Sequence, residues 1–356
     1  MSNNFRFITR LLHHWYAENK RNLPWRETKD AYVIWLSEII LQQTRVEQGL
    51  PYFQRFLAQY PTVQDFAAAN QDEILKLWQG LGYYSRARNM QVAAQTVVTE
   101  HGGVFPNDYT KVRALKGVGD YTTAAILSFA YDLPFAVVDG NVMRVFSRLY
   151  AVEEPIDTAK GKQIISTLAQ QHLAVEAPAN HNQAIMDFGA LVCTPKAPNC
   201  ADCPLVAACA MSSPQQAVSF PVKKGKTKIR NRYFNYFVVQ NNLQEQVWMQ
   251  QRKGKDIWQG LYEFPMLESA EEIDDEHLLN AMSKQHFLAS SSWHLQHIGA
   301  WKKQVLSHQH IHYRFVYLKL KSVEHTNDEI LSVGLHDIAN FAVPKPIELE
   351  IARILD

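Results

Sequence analysis

Cysteine is missing from this 356-residue chain except in one window, "CTPKAPNCADCPLVAAC", where all four occur as Cys193, Cys200, Cys203 and Cys209. Disulfides spread over the fold are thereby excluded. Also missing is any run of roughly 18 uncharged apolar residues, the length a membrane span requires. The opening "MSNNFRFITRLLHHWYAENKR" has no unbroken apolar stretch ahead of a small-residue cleavage site. A soluble, cytoplasmic, reducing setting is expected, with no membrane partner. Neither sign of charge dominates: 36 Lys and Arg against 35 Asp and Glu leave a formal net charge of +1. The total therefore neither argues for nucleic acid nor excludes it, and only the arrangement of charge can help. There is no internal repeat and no low-complexity tract.

What is present suffices for two domains with separate cores, since 47% of residues are hydrophobic and 20% charged. Up to about Ala210 the chain reads as short amphipathic helices, with apolar residues recurring at three and four. Examples are "AYVIWLSEIILQQTRVEQGL", "TVQDFAAANQDEILKLWQGL", "YTTAAILSFAY" and "GNVMRVFSRLY". Residues 211–228 read as a linker, and the basic run Lys223, Lys224, Lys226, Lys228, Arg230 and Arg232 suits either a solvated tether or a phosphate contact. From residue 229 the pattern turns to strands in "YFNYFVVQ", "QVWMQQR", "LYEFP", "WHLQHIGAW" and "IHYRFVYLKL", separated by polar turns such as "NNLQ". Helical segments near 271–285 and 346–355 make this second domain, residues 229–356, α+β.

The cysteines are spaced C-x6-C-x2-C-x5-C. In a reduced setting this spacing points to metal rather than to two disulfides. A zinc site commonly shows two short paired knuckles. The unpaired gaps here suit an iron–sulfur cluster on four thiolates better.

In "LKGVGDYTTAAI", residues 115–126, one helix ends, Gly117 and Gly119 form a tight hairpin, and Asp120 starts the next helix. Backbone N–H groups bared by glycine, beside a helix N-terminus, make a phosphate cradle, although such turns also serve merely to join helices. Glu38 lies in a helix among Ile34, Trp35 and Leu41. Apolar surroundings would raise its pKa and hold a proton near neutrality, and periodicity alone fits a glutamate on the solvent edge at least as well. Asp139 stands between "PFAVV" and "GNVMR", where it caps a helix. An aspartate so fixed by N–H donors is also held ionised, as an electrostatic stabiliser of positive charge should be.

"WLSEIILQQTRVE", "LGYYSRARN", "LKGVGDYT", "VVDGNVMR" and the cysteine loop, in this order, closely resemble the helix-hairpin-helix DNA glycosylases of the endonuclease III superfamily, and within them the MutY-type adenine DNA glycosylases. The resemblance is strong over about residues 5–210. It implies an all-α glycosylase domain, residues 1–210, with the hairpin at about 113–130 and one 4Fe-4S cluster on Cys193, Cys200, Cys203 and Cys209. The cluster is expected to be structural, presenting its loop, Lys196 included, to the DNA backbone. Bifunctional relatives carry a Schiff-base lysine where this chain has Tyr121. Lys116 lies across the hairpin, so a monofunctional enzyme that leaves an abasic site is implied.

The resemblance further implies that adenine is flipped from the duplex, with Gly117 and Gly119 holding phosphate, Gln43 and Tyr83 wedging into the stack, and Thr44 near the opposite base. Protonated Glu38 would donate to adenine N7. Ionised Asp139 would stabilise an oxocarbenium-like sugar or attack it, supported by Tyr121 and Asn141, in the manner of two-carboxylate glycoside hydrolysis. Arg26 and Gln183 would bind the base, Gln183 standing where some members have glutamate.

The second domain resembles the Nudix fold through "DIWQGLYEFP", residues 256–265, yet "MLESAEEIDDE" lacks the arginine–glutamate arrangement of a Nudix box. A reader of the lesion is expected, not a pyrophosphate hydrolase. Where the family has a Phe-Ser-His loop against 8-oxoguanine, this chain has Leu306, Ser307 and His308. His308, His310 and His312 alternate, which fits a solvent- or DNA-facing strand better than a metal site. The expected partner is double-stranded DNA with adenine opposite 8-oxoguanine or guanine, bound by a monomer. A glycosylase/lyase for oxidised pyrimidines and a non-catalytic lesion-binding protein are the alternatives.

Overall fold

The computed structural model describes residues 2–211, 213–225, 229–241, 245–282, 284–285, 288, 291–323 and 329–356, with the backbone alone at 2–4, 291 and 322–323. Lys226, Lys228 and most of the "NNLQ" turn lie outside the described residues. The chain divides into two compact units, residues 1–68 with 89–225, and residues 69–88 with 226–356.

The first unit is helical. Its central α2 (Ala31–Leu41) is started by Asp30, whose carboxylate accepts the Tyr32 N–H at 2.8 Å, and nearly every residue of the helix is buried. An all-round apolar helix of this kind belongs inside a larger bundle, and α2 packs on α8 (Asp120–Tyr131). The periodic run 31–50 does not continue as one helix. It breaks after Leu41, where Gln43 takes a left-handed φ of 61°, and α3 (Val46–Gln59) begins beyond the break. A second core joins α1 (Ser2–Asn19), α9 (Gly140–Leu149), α10 (Ala159–His172) and α11 (Pro178–Leu191) through Ile8, Leu12, Val145, Phe146, Ile165 and Phe188.

The run 62–81 is likewise divided. Asn70 accepts the Asp72 N–H at 2.8 Å and so restarts the chain as α5 (Gln71–Leu77). Residues 69–88, which the sequence reading groups with the helices before them, pack within the second unit for identifiable reasons. Asp72 accepts from Tyr262 Oη at 2.9 Å, and Lys76 Nζ donates to the carbonyls of Ala339 and Phe341 at 2.6 and 3.1 Å.

The second unit is built on an eight-stranded sheet. Its main path runs β3 (Tyr262–Glu263), β2 (Gln246–Gln251), β1 (Arg230–Asn241), β7 (Gln309–Val323), β5 (Ser291–Ile298). β4 (Met266–Ser269) and β6 (Lys302–Val305) add to β1 and β7, and β8 (Ile330–Gly334) to β2. β1 and β7 are parallel and the remaining pairs antiparallel. The unbroken apolar run in β1 follows from burial of both its faces. Phe234, Tyr236 and Val238 pack with Ile347 and Ile351 of the final helix Lys345–Leu355, whereas Phe237 and Val239 pack with Leu278 and Met282 of the helix Asp275–Met282.

The segment after the cysteines is more ordered than a tether. Pro214–Val218 is helical, Lys224 N–H donates to Asp157 at 2.9 Å, and Arg148 Nε donates to the Phe220 carbonyl at 3.1 Å. Arg232, counted with the basic run, is not a surface cation either. It is 5% exposed, with bidentate contacts at 2.6–2.8 Å to Asp256 and Glu268.

Candidate active site

Arg26, Glu38, Thr44, Tyr121, Asp139, Asn141 and Gln183, far apart in sequence, line one pocket of about 400 Å³ in the first unit. This volume is within the range of small-molecule sites. Gln43, Gly117 and Gly119 are not among its lining residues.

Glu38 is contributed by α2, and its residue is only 7% exposed, so the solvent-edge placement is not what the fold builds. The Tyr121 hydroxyl, from the first turn of α8, donates to Glu38 Oε2. Burial lifts the Glu38 carboxyl to about 7. The Tyr121 hydrogen bond opposes this rise, and the Asp139 carboxylate adds to it. Burial pushes the Tyr121 hydroxyl well above its ordinary range, reinforced by Glu38. Tyr121 is therefore a donor throughout the physiological range.

Asp139 caps α9. Its Oδ1 accepts the Val142 N–H at 2.7 Å and its Oδ2 accepts Asn141 Nδ2 at 2.7 Å. Burial moves this carboxyl upward from its ordinary value, against the lowering by those two donors and by Arg144. The polarity of the arrangement is set from behind. Arg144 Nη2 donates to Asn141 Oδ1 at 2.9 Å and to the Gly189 carbonyl at 2.6 Å, and its Nε donates to the Cys193 carbonyl at 2.7 Å. With Oδ1 of Asn141 taken by a cation, only its amide N–H faces Asp139. Arg144 stands in the quoted "VVDGNVMR", but nothing in the sequence marks it as the residue that orients Asn141.

The pocket's other wall is an ion network that sequence reasoning missed. Asp187, fully buried, accepts two bonds from Arg26 at 2.7 and 2.8 Å, together with Arg21 Nε at 2.8 Å and the Arg21 N–H at 3.1 Å. Burial acts to raise the Asp187 carboxyl, and the Arg26 and Arg21 bonds override it, leaving it below its ordinary value. The available signal was the one used for Glu38, a lone acid within the apolar "AIMDFGAL".

Close approach of α11 to α9 depends on Gly189, because a Cβ there would lie 2.7 Å from Asn141 Cβ and 3.2 Å from its backbone. Gly189→Ala is expected to destabilise the fold by about 1–3 kcal/mol, as overpacking does, and to displace Asn141. A lowered midpoint of thermal unfolding together with a slowed reaction would bear this out; an unchanged midpoint would show that the helices part without cost.

At the hairpin, Gly117 has φ 78° and Val118 N–H closes the turn on the Leu115 carbonyl at 3.1 Å. Gly119 is the N-cap residue of α8, and a Cβ on it would meet nothing within 4 Å. The protein itself does not require glycine at 119.

The four thiols line a common cavity with Val145, Leu149 and Phe188. Among the described residues no three His, Cys, Asp or Glu side chains gather closely enough to hold one ion. Four thiols around one cavity are a donor set of the kind that holds an iron–sulfur cluster. Burial raises the Cys203 thiol to about 11 and lifts Cys209 as well, each reinforced by the other cysteines.

In the second unit, Tyr83, Leu306, Ser307 and His308 line a cavity of about 370 Å³ with Trp258. The Tyr83 hydroxyl hydrogen-bonds Ser307 Oγ. Tyr83 and Trp258 both have left-handed φ, 48° and 58°, unusual for bulky residues. His312 stacks on Tyr233 with ring centroids 4.8 Å apart and bonds Asn231 Oδ1 at 3.3 Å. The carboxylates near the Nudix-like segment are engaged by arginine, Glu263 by Arg252 at 2.8 Å and Glu268 and Asp256 by Arg232.

Residues 36–171 match the HhH-GPD superfamily of base excision DNA repair proteins, and residues 235–353 match the NUDIX domain family. The adenine DNA glycosylase of Buchnera aphidicola subsp. Schizaphis graminum is 37% identical over 259 residues, covering 72% of this chain and 74% of that protein. The adenine DNA glycosylase of Rattus norvegicus is 33% identical over 358 residues, covering 86% and 69%. Among solved structures, a thermostable thymine-DNA glycosylase superposes with a TM-score of 0.55 at 27% identity, over 58% of this chain and 96% of the other. That protein's different base shows that this fold does not decide which base is removed. Among the described residues no helix is long and apolar enough to cross a membrane.

Proposed function

This chain belongs to the adenine DNA glycosylase family, and on that premise we propose that the adenine it hydrolyses from DNA is the one paired with 8-oxoguanine or guanine, and that it leaves an abasic site without cutting the strand. The observation that carries the reading is the pairing of Glu38, titrating near 7, with a second carboxylate, Asp139, in one pocket.

In this mechanism the flipped adenine enters the pocket and is held by Arg26 and Gln183. Protonated Glu38 donates to N7, so that the bond from C1′ to the base breaks with the electron pair leaving on adenine. Asp139, oriented by Asn141, stabilises the cationic sugar until water adds its hydroxyl to C1′ and gives up its proton to the Glu38 carboxylate, which restores the acid. Tyr121 keeps the Glu38 carboxyl in place. Gly117 and Gly119 accept phosphate at the α8 N-terminus, while Gln43, Thr44 and Tyr83 engage the opened stack. The left-handed backbones of Gln43 and Tyr83 support that role.

Leu306, Ser307 and His308 would read the opposite base, the hydroxyl link from Ser307 to Tyr83 supporting a joint site. Leucine contributes apolar contact there without aromatic stacking. Cys193, Cys200, Cys203 and Cys209 would hold one 4Fe-4S cluster, which supplies no step in a redox-neutral hydrolysis and braces the loop carrying Lys196. In this division of labour residues 1–210 catalyse, 211–228 connect and 229–356 recognise, and the protein acts on duplex DNA as a monomer.

The test is single-turnover cleavage of labelled duplexes containing A·8-oxoguanine, A·G, A·T or thymine glycol, developed with and without alkali. Alkali-dependent breaks at adenine in the first two are expected, with no adduct trapped by borohydride. Cleavage at thymine glycol with a trapped adduct would instead make this a glycosylase/lyase despite Tyr121.

A further inference from the structure

Tyr16, on α1, is 4% exposed, packs in the core with Phe146 and Phe188, and is not part of the pocket wall. Its hydroxyl nevertheless donates to Gln183 Oε1 at 3.0 Å, and Gln183 does line the pocket. We infer that Tyr16 is a positioning residue for base selectivity, fixing which end of the Gln183 amide is presented to the base. The inference rests on the reading of this pocket as the adenine site.

A primary amide has a donor end and an acceptor end that exchange on a half-turn about a soft torsion. Nothing intrinsic to glutamine chooses between the two orientations. Tyr16 chooses, because its proton requires an acceptor and among the described residues Gln183 is the acceptor it meets. Turning the amide over would leave a buried hydroxyl proton without a partner. Burial also raises the Tyr16 hydroxyl above its ordinary value, so it remains a donor. The neighbouring wall is equally fixed, since Arg26 is held on Asp187 through both terminal nitrogens.

With Oε1 engaged by Tyr16, the Nε2 protons and the second lone pair of Oε1 remain for the base. That pattern suits a ring nitrogen acceptor beside an exocyclic amino group, as in adenine. A 6-oxo purine presents the reverse, a carbonyl acceptor beside a ring N–H, and would be matched by the inverted amide. Tyr16 thus acts against 6-oxo purines without touching them, by denying Gln183 the orientation they need.

The experiment compares the full-length protein with its Tyr16→Phe variant, which retains the core ring, in single turnover on duplexes carrying adenine or hypoxanthine at the same position. The adenine-to-hypoxanthine rate ratio is expected to fall about tenfold in Tyr16→Phe, the size of one hydrogen bond. In a Gln183→Glu background the two carboxylate oxygens are interchangeable, so adding Tyr16→Phe should leave the ratio where it was. An unchanged ratio with Gln183 present, or an equal change in both backgrounds, would overturn the inference while leaving adenine release in place. A protein with unsubstituted Tyr16 and Gln183 that released no adenine would instead defeat the active-site reading and this inference with it.

Discussion

Glu38→Gln is expected to lower the single-turnover rate of adenine release by about 10²–10⁴-fold, the usual contribution of a positioned general acid, while duplex binding is retained. The reason lies in what burial does to the carboxyl. Held among the apolar residues of α2, it titrates near 7 instead of its ordinary 4.5 and so carries a transferable proton at neutrality. Activity should persist below pH 7 and decline as pH rises through it, because the acid form is the reactive one. The same shift affects stability with a definite sign. Between pH 4.5 and 7 the folded state holds a proton that the unfolded chain has lost, so stability is full at low pH and falls as pH rises through about 7. Glutamine does not titrate, and the variant should therefore unfold at a higher temperature than the unsubstituted protein at pH 8, the difference closing towards pH 4. An inactive variant that was also less stable at pH 8 would indicate that glutamine had damaged the pocket, and would count against the acid assignment.

Much of this site was legible in the sequence, for reasons that also explain what was not. Asp139 and the two hairpin glycines stand in short segments whose local pattern already constrains them, a cap and a tight turn, although the glycines do not line the pocket. Glu38 was only half legible, since periodicity fitted the solvent edge at least as well and only the fold buries it. Strand reading worked where aromatic and β-branched residues fill a long run, as in β1 and β7. It failed for β6 and β8, whose "KKQV" and "ILSVG" are defined by their partners rather than by their own composition. The breaks at Gln43 and Asn70 were hidden because apolar periodicity carries across them, while the backbone φ and the cap that end or restart each helix are local. Arg232 was misread for a related reason. A charge run in sequence does not reveal that Asp256 and Glu268 fold back onto one of its members. Tyr16 was invisible because it acts on Gln183, far away in the chain, and one sequence without its fold holds no record of such a pair. Asp187 showed its apolar setting but not its partners Arg26 and Arg21, and Arg144, only three residues from Asn141, gave no local sign that its guanidinium turns back onto that amide.

Asp139→Asn separates the two roles that sequence reading could not. Asparagine is as good an N-cap as aspartate, so a residue that merely capped α9 would tolerate the change with little effect on the rate. A residue stabilising a cationic sugar would not, and the expected loss is about 10²–10³-fold, the size seen when one preorganised electrostatic group is removed. The surroundings make the loss specific. Val142 N–H still requires an oxygen, which turns the new amide nitrogen towards Asn141 Nδ2 at the place where a 2.7 Å bond now stands. Asn141 cannot relieve this donor-to-donor clash by turning over, because Arg144 holds its oxygen at 2.9 Å. The substitution should also be felt at Glu38. Asp139 adds to the upward shift of that carboxyl, beneath the larger effect of burial, so removing its charge should move the alkaline limb of the pH–rate profile to lower pH. A slowed reaction with that limb displaced downward, and a midpoint of thermal unfolding lowered by the clash with Asn141, is the expected combination. A slowed reaction with the limb unmoved would mean that the two carboxylates do not share a field, and the acid–anion pairing on which the mechanism stands would have to be abandoned.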